Sequence, residues 1–217
     1  MQSKYGTLAQ LDSVLEFAAK RQASASLATV GETASGRPIR QLSLGNEPCT
    51  AMLVVLAGVH AREWVATGGA HCWIAELADS PPMPGVCLRV LPMLNPDGYS
   101  FSRTNNRHWR KNRGGLEGRG VDLNRNFGVA NSSWGHGTNN SRSEVFQGLA
   151  PFSEPETRAA AAAVKAAVAA VGGDPAKVGV LDVHCCARVV YPPFWYSRAS
   201  ASLAILARVA SVLDLQI

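Results

Sequence analysis

His60 and Glu63 stand three apart in GVHAREWVA (58–66), and His184 closes a second apolar run, KVGVLDVH (177–184). Two imidazoles and a carboxylate form a donor set for a divalent metal. Three such ligands with a fourth position open suit a catalytic Zn²⁺, which lowers the pKa of a bound water towards ~7. The H-x-x-E spacing alone is unspecific, because it arises by chance, and a lone histidine is ordinarily a packed or surface residue. Placement adds weight. Both histidines end segments with the length and apolar content of buried strands, AMLVVLA (51–57) and VGVLDV (178–183). Ligand sites in α/β sheets lie at the carboxyl ends of strands.

A second concentration of chemistry lies between Arg103 and Arg125, where seven Lys/Arg face only Glu117 and Asp122. A solvated loop, an anionic or nucleic-acid surface, and several arginines converging on one carboxylate are all open to such a stretch. Residues 95–152 are rich in Asn, Gly, Ser and Arg and too long for a structureless loop, which marks the segment as functional.

The elements that must hold these residues follow from periodicity. Residues 7–21 read as an amphipathic helix with Thr7 as N-cap. Two strands, 36–45 and 51–58, are expected to form a hairpin-like pair across NEPCT, and a helix covers about 64–78. PPMPG (81–85) is a hard break before a buried strand, 86–94. The alanine-rich 153–171 is a helix with Ser153 as N-cap and Gly172-Gly173 as its end. A buried strand, 177–184, a short strand, 188–193, and a helix, 201–215, complete the pattern. Alternating strands and helices with no repeat and no clear boundary predict one α/β domain over 1–217.

The 217 residues are enough for a real core, and 47% hydrophobic against 17% charged is a globular balance. The net charge is +5. No apolar run has bilayer-spanning length, and the first residues lack the shape of a secretory signal. Five cysteines, Cys49, Cys72, Cys87, Cys185 and Cys186, fit no zinc-finger spacing. Cys72 and Cys87 read as small core residues, and no disulfide framework is expected. His71, His108 and His136 fit no motif and read as ordinary polar or packing residues. Asn131 and Asn139 begin N-x-S sequons, which matter only in a secreted protein.

Four stretches in one order narrow this reading: GVHAREW (58–64), LNPDGYSFSRTNNRHWRKNR (94–113), GVDLNRNF (120–127) and LDVHCCARVVYPP (181–193). Together they resemble the zinc metallocarboxypeptidases of the carboxypeptidase A/B type, from about Tyr5 to about Tyr196. The resemblance implies a mixed, mainly parallel central sheet flanked by helices. It implies one Zn²⁺ per chain on His60, Glu63 and His184, with Asp122 fixing the His60 tautomer. Arg110 would polarise the scissile carbonyl and stabilise the oxyanion. Asn124 and Arg125 would grip the free C-terminal carboxylate, with Arg62 and Arg107 nearby. The substrate would be the C-terminus of a peptide or protein, the location extracellular or in the secretory pathway, and the chain a monomer without nucleic-acid or membrane partners. The arginine-rich loop is then a carboxylate site, with Trp109 a packing residue. Cys185 and Cys186 follow a ligand directly, but a fourth protein ligand would close the position catalysis needs.

The family's general-base glutamate and its substrate-covering tyrosine have no counterpart here. Asp214 is the only carboxylate beyond His184 before the end at Ile217. The expectation is a C-terminally incomplete domain, prone to aggregate and poor in turnover, or else a zinc- and carboxylate-binding protein without catalysis.

Overall fold

The structure is a computed structural model, and it describes residues 5–46, 48–128 and 136–186. Two compact units divide it, Met1–His184 and Cys185–Ile217. Of the second unit only Cys185 and Cys186 are described, so the strand expected over 188–193 and the helix over 201–215 lie outside the described residues.

Helix α1, Leu8–Arg21, starts at Thr7, whose hydroxyl accepts from the Gln10 N–H while the Gln10 side chain accepts from the Thr7 N–H. Thr7 is the cap expected, the reciprocal bond from Gln10 completes it, and Leu11, Leu15 and Ala18 form the buried stripe. The strands are β1 (Ala25–Glu32), β2 (Pro38–Leu44), β3 (Ala51–Ala57), β4 (Val86–Leu91) and β5 (Val178–Val183), in sheet order β1-β2-β4-β3-β5. Helix α2, Trp64–Leu77, links β3 to β4. After β4 come α3, Pro96–Thr104, and α4, Pro155–Ala170. β1-β2 and β2-β4 are antiparallel, whereas β4-β3 and β3-β5 are parallel. The sheet is therefore mixed and flanked by helices, as the fold class requires.

Strand β3 lies inside the sheet, between β4 and β5, and is buried on both faces, which explains its unbroken apolar sequence. Met52, Val54 and Leu56 alternate towards the alanine face of α4, with Ala159, Ala160, Ala163 and Ala167. Val55 packs on the opposite face with Leu15 and Ala18 of α1 and Ile74 of α2. Alanines let α4 lie close to the sheet, and their high helix propensity keeps the run helical.

Three expectations are corrected and one unread strand is added. The β2–β3 hairpin does not form, because β4 inserts between the two strands and takes the edge of each. β1 went unread because its one-sided burial gives only a weak apolar signal. β5 is largely exposed, with Val180 at 53% and Leu181 at 48%; among the described residues its only sheet neighbour is β3. Ser153 is not the cap of α4. Glu154 occupies that position, and the Asn126 carboxamide accepts from its N–H and from the Thr157 hydroxyl. Gly172 and Gly173 do end the helix, both at positive φ, with the Gly173 N–H returning to the Val168 carbonyl.

The cysteine reading also changes. Cys49 and Cys87 form a disulfide with Cα atoms 5.8 Å apart, Cys185 and Cys186 are paired, and Cys72 is exposed. The first bridge ties the β2–β3 link to the start of β4. Its partners are 38 residues apart, so the closed loop corresponds to about 4 kcal/mol of denatured-chain entropy. A Cys49→Ala/Cys87→Ala variant should lose about 2–4 kcal/mol of unfolding free energy in urea titrations, unless reductant is already present for both proteins.

Candidate metal centre

β3 ends at Ala57, and Gly58 turns the chain at φ 69°, where a Cβ would lie 2.6 Å from Thr67 Oγ1. A tight turn follows, with the Glu63 N–H bonded to the His60 carbonyl. Glu63 is the N-cap of α2, but its side chain does not cap the helix. It turns to His60 instead: His60 Nδ1 lies 2.8 Å from Glu63 Oε1. His184 follows β5, parallel to β3, so both strands deliver an imidazole to the same end of the sheet. His184 Nδ1 is 3.0 Å from Glu63 Oε2 and 3.1 Å from His60 Nδ1.

One ligand atom from each of these three residues falls within 4.8 Å of the others. Two imidazole nitrogens facing each other beside a carboxylate form an electron-rich cluster that a cation resolves. Two nitrogens on one tetrahedral zinc lie about 3.3 Å apart, given Zn–N bonds near 2.0–2.1 Å, so the spacing fits that ion. The outer nitrogens are fixed as metal-binding histidines require: His60 Nε2 meets Asp122 Oδ1 at 3.1 Å, and His184 Nε2 meets Asp182 Oδ2 at 3.0 Å. Burial alone would lower the His184 pKa, but bonds and charges from Asp182 and Glu63 raise it to about 10. A metal at this centre must displace that proton.

Asp122 is fully buried. Its Oδ2 accepts from Arg110 Nε at 3.1 Å and Nη2 at 3.0 Å, and its Oδ1 also accepts from the Asn124 N–H. Burial pushes its pKa up, but His60 and Arg110 outweigh this and hold it below the ordinary carboxylate range. Arg110 is thus held through Asp122 beside His60. The Asn124 bond caps a short 3₁₀ turn, Leu123–Arg125. Arg125 is half-buried and uses Nη1 on the Asn124 carbonyl, leaving the rest of its guanidinium uncommitted among the described residues. Arg107 lies 3.8 Å over the Trp64 ring and donates to the Arg62 carbonyl. Arg62 pairs with Glu144 at 3.2 Å. Trp109 packs edge-on against Phe101 and under Arg113, a packing role as expected.

Sequence reasoning missed the braces. Asn95, fully buried, donates to the carbonyls of Val59 and Lys111 and so ties the His60 turn to the Arg110 segment. Ser102 donates to the Ala61 carbonyl and accepts from the Trp64 indole. Asn112 accepts from the Gly114 and Val121 N–H groups and donates to Glu154 and Glu156. Their partners are remote in sequence, so no local signal marks them. Asp182 was legible: a strand period of two puts it on the same side as His184.

A sequence profile described as zinc carboxypeptidase matches residues 11–214, so the chain belongs to that family. It is 30% identical over 172 residues to carboxypeptidase B of Helicoverpa zea, covering 71% of this chain and 39% of that one. Over 191 residues it is 35% identical to the inactive metallocarboxypeptidase ecm14 of Talaromyces marneffei, covering 79% and 31%. The crystal structure of carboxypeptidase A from Helicoverpa armigera superposes with a TM-score of 0.82 at 26% identity, over 97% of this chain and 54% of that chain. The chain spans less than half the length of these curated relatives.

Glu156, in the first turn of α4, yields a test of the Asn112 brace. It is fully buried, one oxygen lacks a partner, and burial raises its pKa from 4.5 to about 7 despite the Asn112 bond. The folded state therefore holds the proton more tightly than the unfolded chain. The associated stability is complete below pH 4.5 and is lost as the pH rises through about 7. Its size is about 3 kcal/mol. Urea titrations across that range should show a fall in stability that Glu156→Gln removes.

Proposed function

We propose that the chain supplies the metal-binding and carboxylate-binding part of a single zinc metallocarboxypeptidase domain that cleaves the C-terminal peptide bond of peptides and proteins. The observation that carries this reading is the convergence of His60, Glu63 and His184, each histidine backed by a carboxylate, on one point at the strand ends. Zinc held by these three residues would supply a Lewis acid that polarises a carbonyl and activates a water molecule.

The chain's own groups divide the remaining work. Arg125, with Asn124, binds the substrate's terminal carboxylate, because a planar guanidinium offers paired donors that an internal peptide bond cannot use. That contact separates an exopeptidase from an endopeptidase. Arg110, oriented by Asp122, places positive charge where the carbonyl oxygen becomes negative. Arg62 and Arg107 help to bind the peptide's terminal region. Asp122 and Asp182 keep the outer nitrogens of the two histidines protonated, so that the inner ones present lone pairs. The whole protein acts as a monomer, outside the cell or in the secretory pathway.

A second reading is supported by the similarity to a metallocarboxypeptidase named as inactive: the same centre binds zinc and peptide C-termini without turnover. A C-terminal release assay on zinc-loaded protein separates the two.

Metal analysis should find one zinc per chain. His60→Ala should abolish tight binding, and Asp182→Asn should weaken it about 10–100-fold in chelator competition. A folded wild-type chain without zinc affinity would refute the assignment. For the carboxylate site, Arg125→Ala should weaken peptides with a free C-terminus by about one to two decades, from a lost pair of roughly 1.5–3 kcal/mol. Amidated peptides should be nearly unaffected, and equal losses would refute the role.

A further inference from the structure

Away from the metal centre, a cavity of 90 Å³ lies between α1, α2 and β2. Its volume matches about three liquid waters. Most of its wall is apolar, including Leu11, Leu15 and Met93, and besides Arg37 three polar side chains interrupt it: Asp12 from α1, Arg40 from β2 and His71 from α2.

Each of the three keeps polar capacity that no partner among the described residues takes up, and Asp12 and Arg40 are half-buried. Arg40 Nε is shut off from solvent without a hydrogen-bond acceptor, and the guanidinium makes no ion pair among the described residues. Arg40 is half-buried, so the rest of its guanidinium is what can meet an occupant of the cavity. His71 is only 4% exposed. Its Nδ1 donates to the Thr67 carbonyl at 2.8 Å, leaving Nε2 without a partner among the described residues. Burial lowers its pKa, so the ring is neutral, with Nε2 an acceptor. Asp12 has no ion pair among the described residues either; it and Arg40 line one cavity without pairing with each other. Arg37, also at the wall, is already committed to Asp97 at 2.8 Å.

Opposite charges separated across a small, largely apolar space define the missing occupant. A simple anion would answer Arg40 but be repelled by Asp12, and a simple cation would do the reverse. We propose that this cavity binds a free amino acid with a short side chain, its carboxylate on Arg40, its ammonium shared by Asp12 and His71 Nε2, and its side chain against the leucines. Free amino acids are also the product of the proposed peptidase reaction, so the site could sense product; that link alone rests on the peptidase reading.

Calorimetric titration with glycine, L-alanine, acetate, methylammonium and L-tryptophan tests it. Glycine and alanine should bind, and the singly charged ions should bind at least about tenfold more weakly, for want of one charge-assisted pair. Tryptophan should be excluded by volume. Arg40→Met and the partly exposed Asp12→Asn should each weaken glycine about tenfold, whereas His60→Ala should leave it unchanged. The proposal is overturned if glycine does not bind, if acetate binds as well as glycine, or if both cavity variants keep wild-type affinity. Loss of binding in His60→Ala would overturn it too, by locating the amino acid at the metal cluster.

Discussion

One carboxylate organises the functional end of this protein. Asp122 accepts from His60 and the Asn124 N–H on one oxygen and from the Arg110 fork on the other. With no exposure to water, it has no alternative partners. The lone pair of His60, the orientation of Arg110 and the turn carrying Arg125 are thus set by the same group. The three roles proposed above, in metal binding, charge stabilisation and substrate recognition, share one fixed point. A buried charge with every bond made is stable only as a unit, because removing any donor leaves the carboxylate underpaired in a low-dielectric site.

Around it, the long irregular segment is held by amides. Asn95, Asn112 and Asn126 are each fully buried. Asn126 alone ties the carbonyls of Gln147 and Ala150 to the start of α4. Irregular backbone cannot satisfy its own polar groups as a helix or ladder does, so side chains with both a donor and an acceptor must do so. Rigidity at the centre therefore does not require regular structure on both sides. β3, β4 and β5 supply it on one side and buried carboxamides on the other.

Much of this was readable before the fold. The strand-terminal histidines stood out because β3 is buried on both faces and so is uninterrupted in sequence. Thr7 and Gln10 carry their cap locally. The hairpin expected between β2 and β3 failed for the opposite reason: the strand that separates them begins only at Val86, and nothing in NEPCT registers it. The Cys49–Cys87 bridge, the Asn112–Glu156 contact and the Arg62–Glu144 pair likewise join distant segments. β5 read as buried because its residues are apolar, but exposure depends on neighbours, and among the described residues it has one strand beside it.

The parallel pairing of β3 with β5 has a kinetic consequence. Met52 pairs with Val178, across most of the chain, and contacts of such separation carry a large closure entropy. The local β1–β2 ladder and the β3–α2–β4 crossover can assemble well before β5 docks. His60 and Glu63 are then in place together, and His184 joins them only when β5 pairs with β3, so the three candidate ligands meet through the most sequence-distant ladder among the described strands.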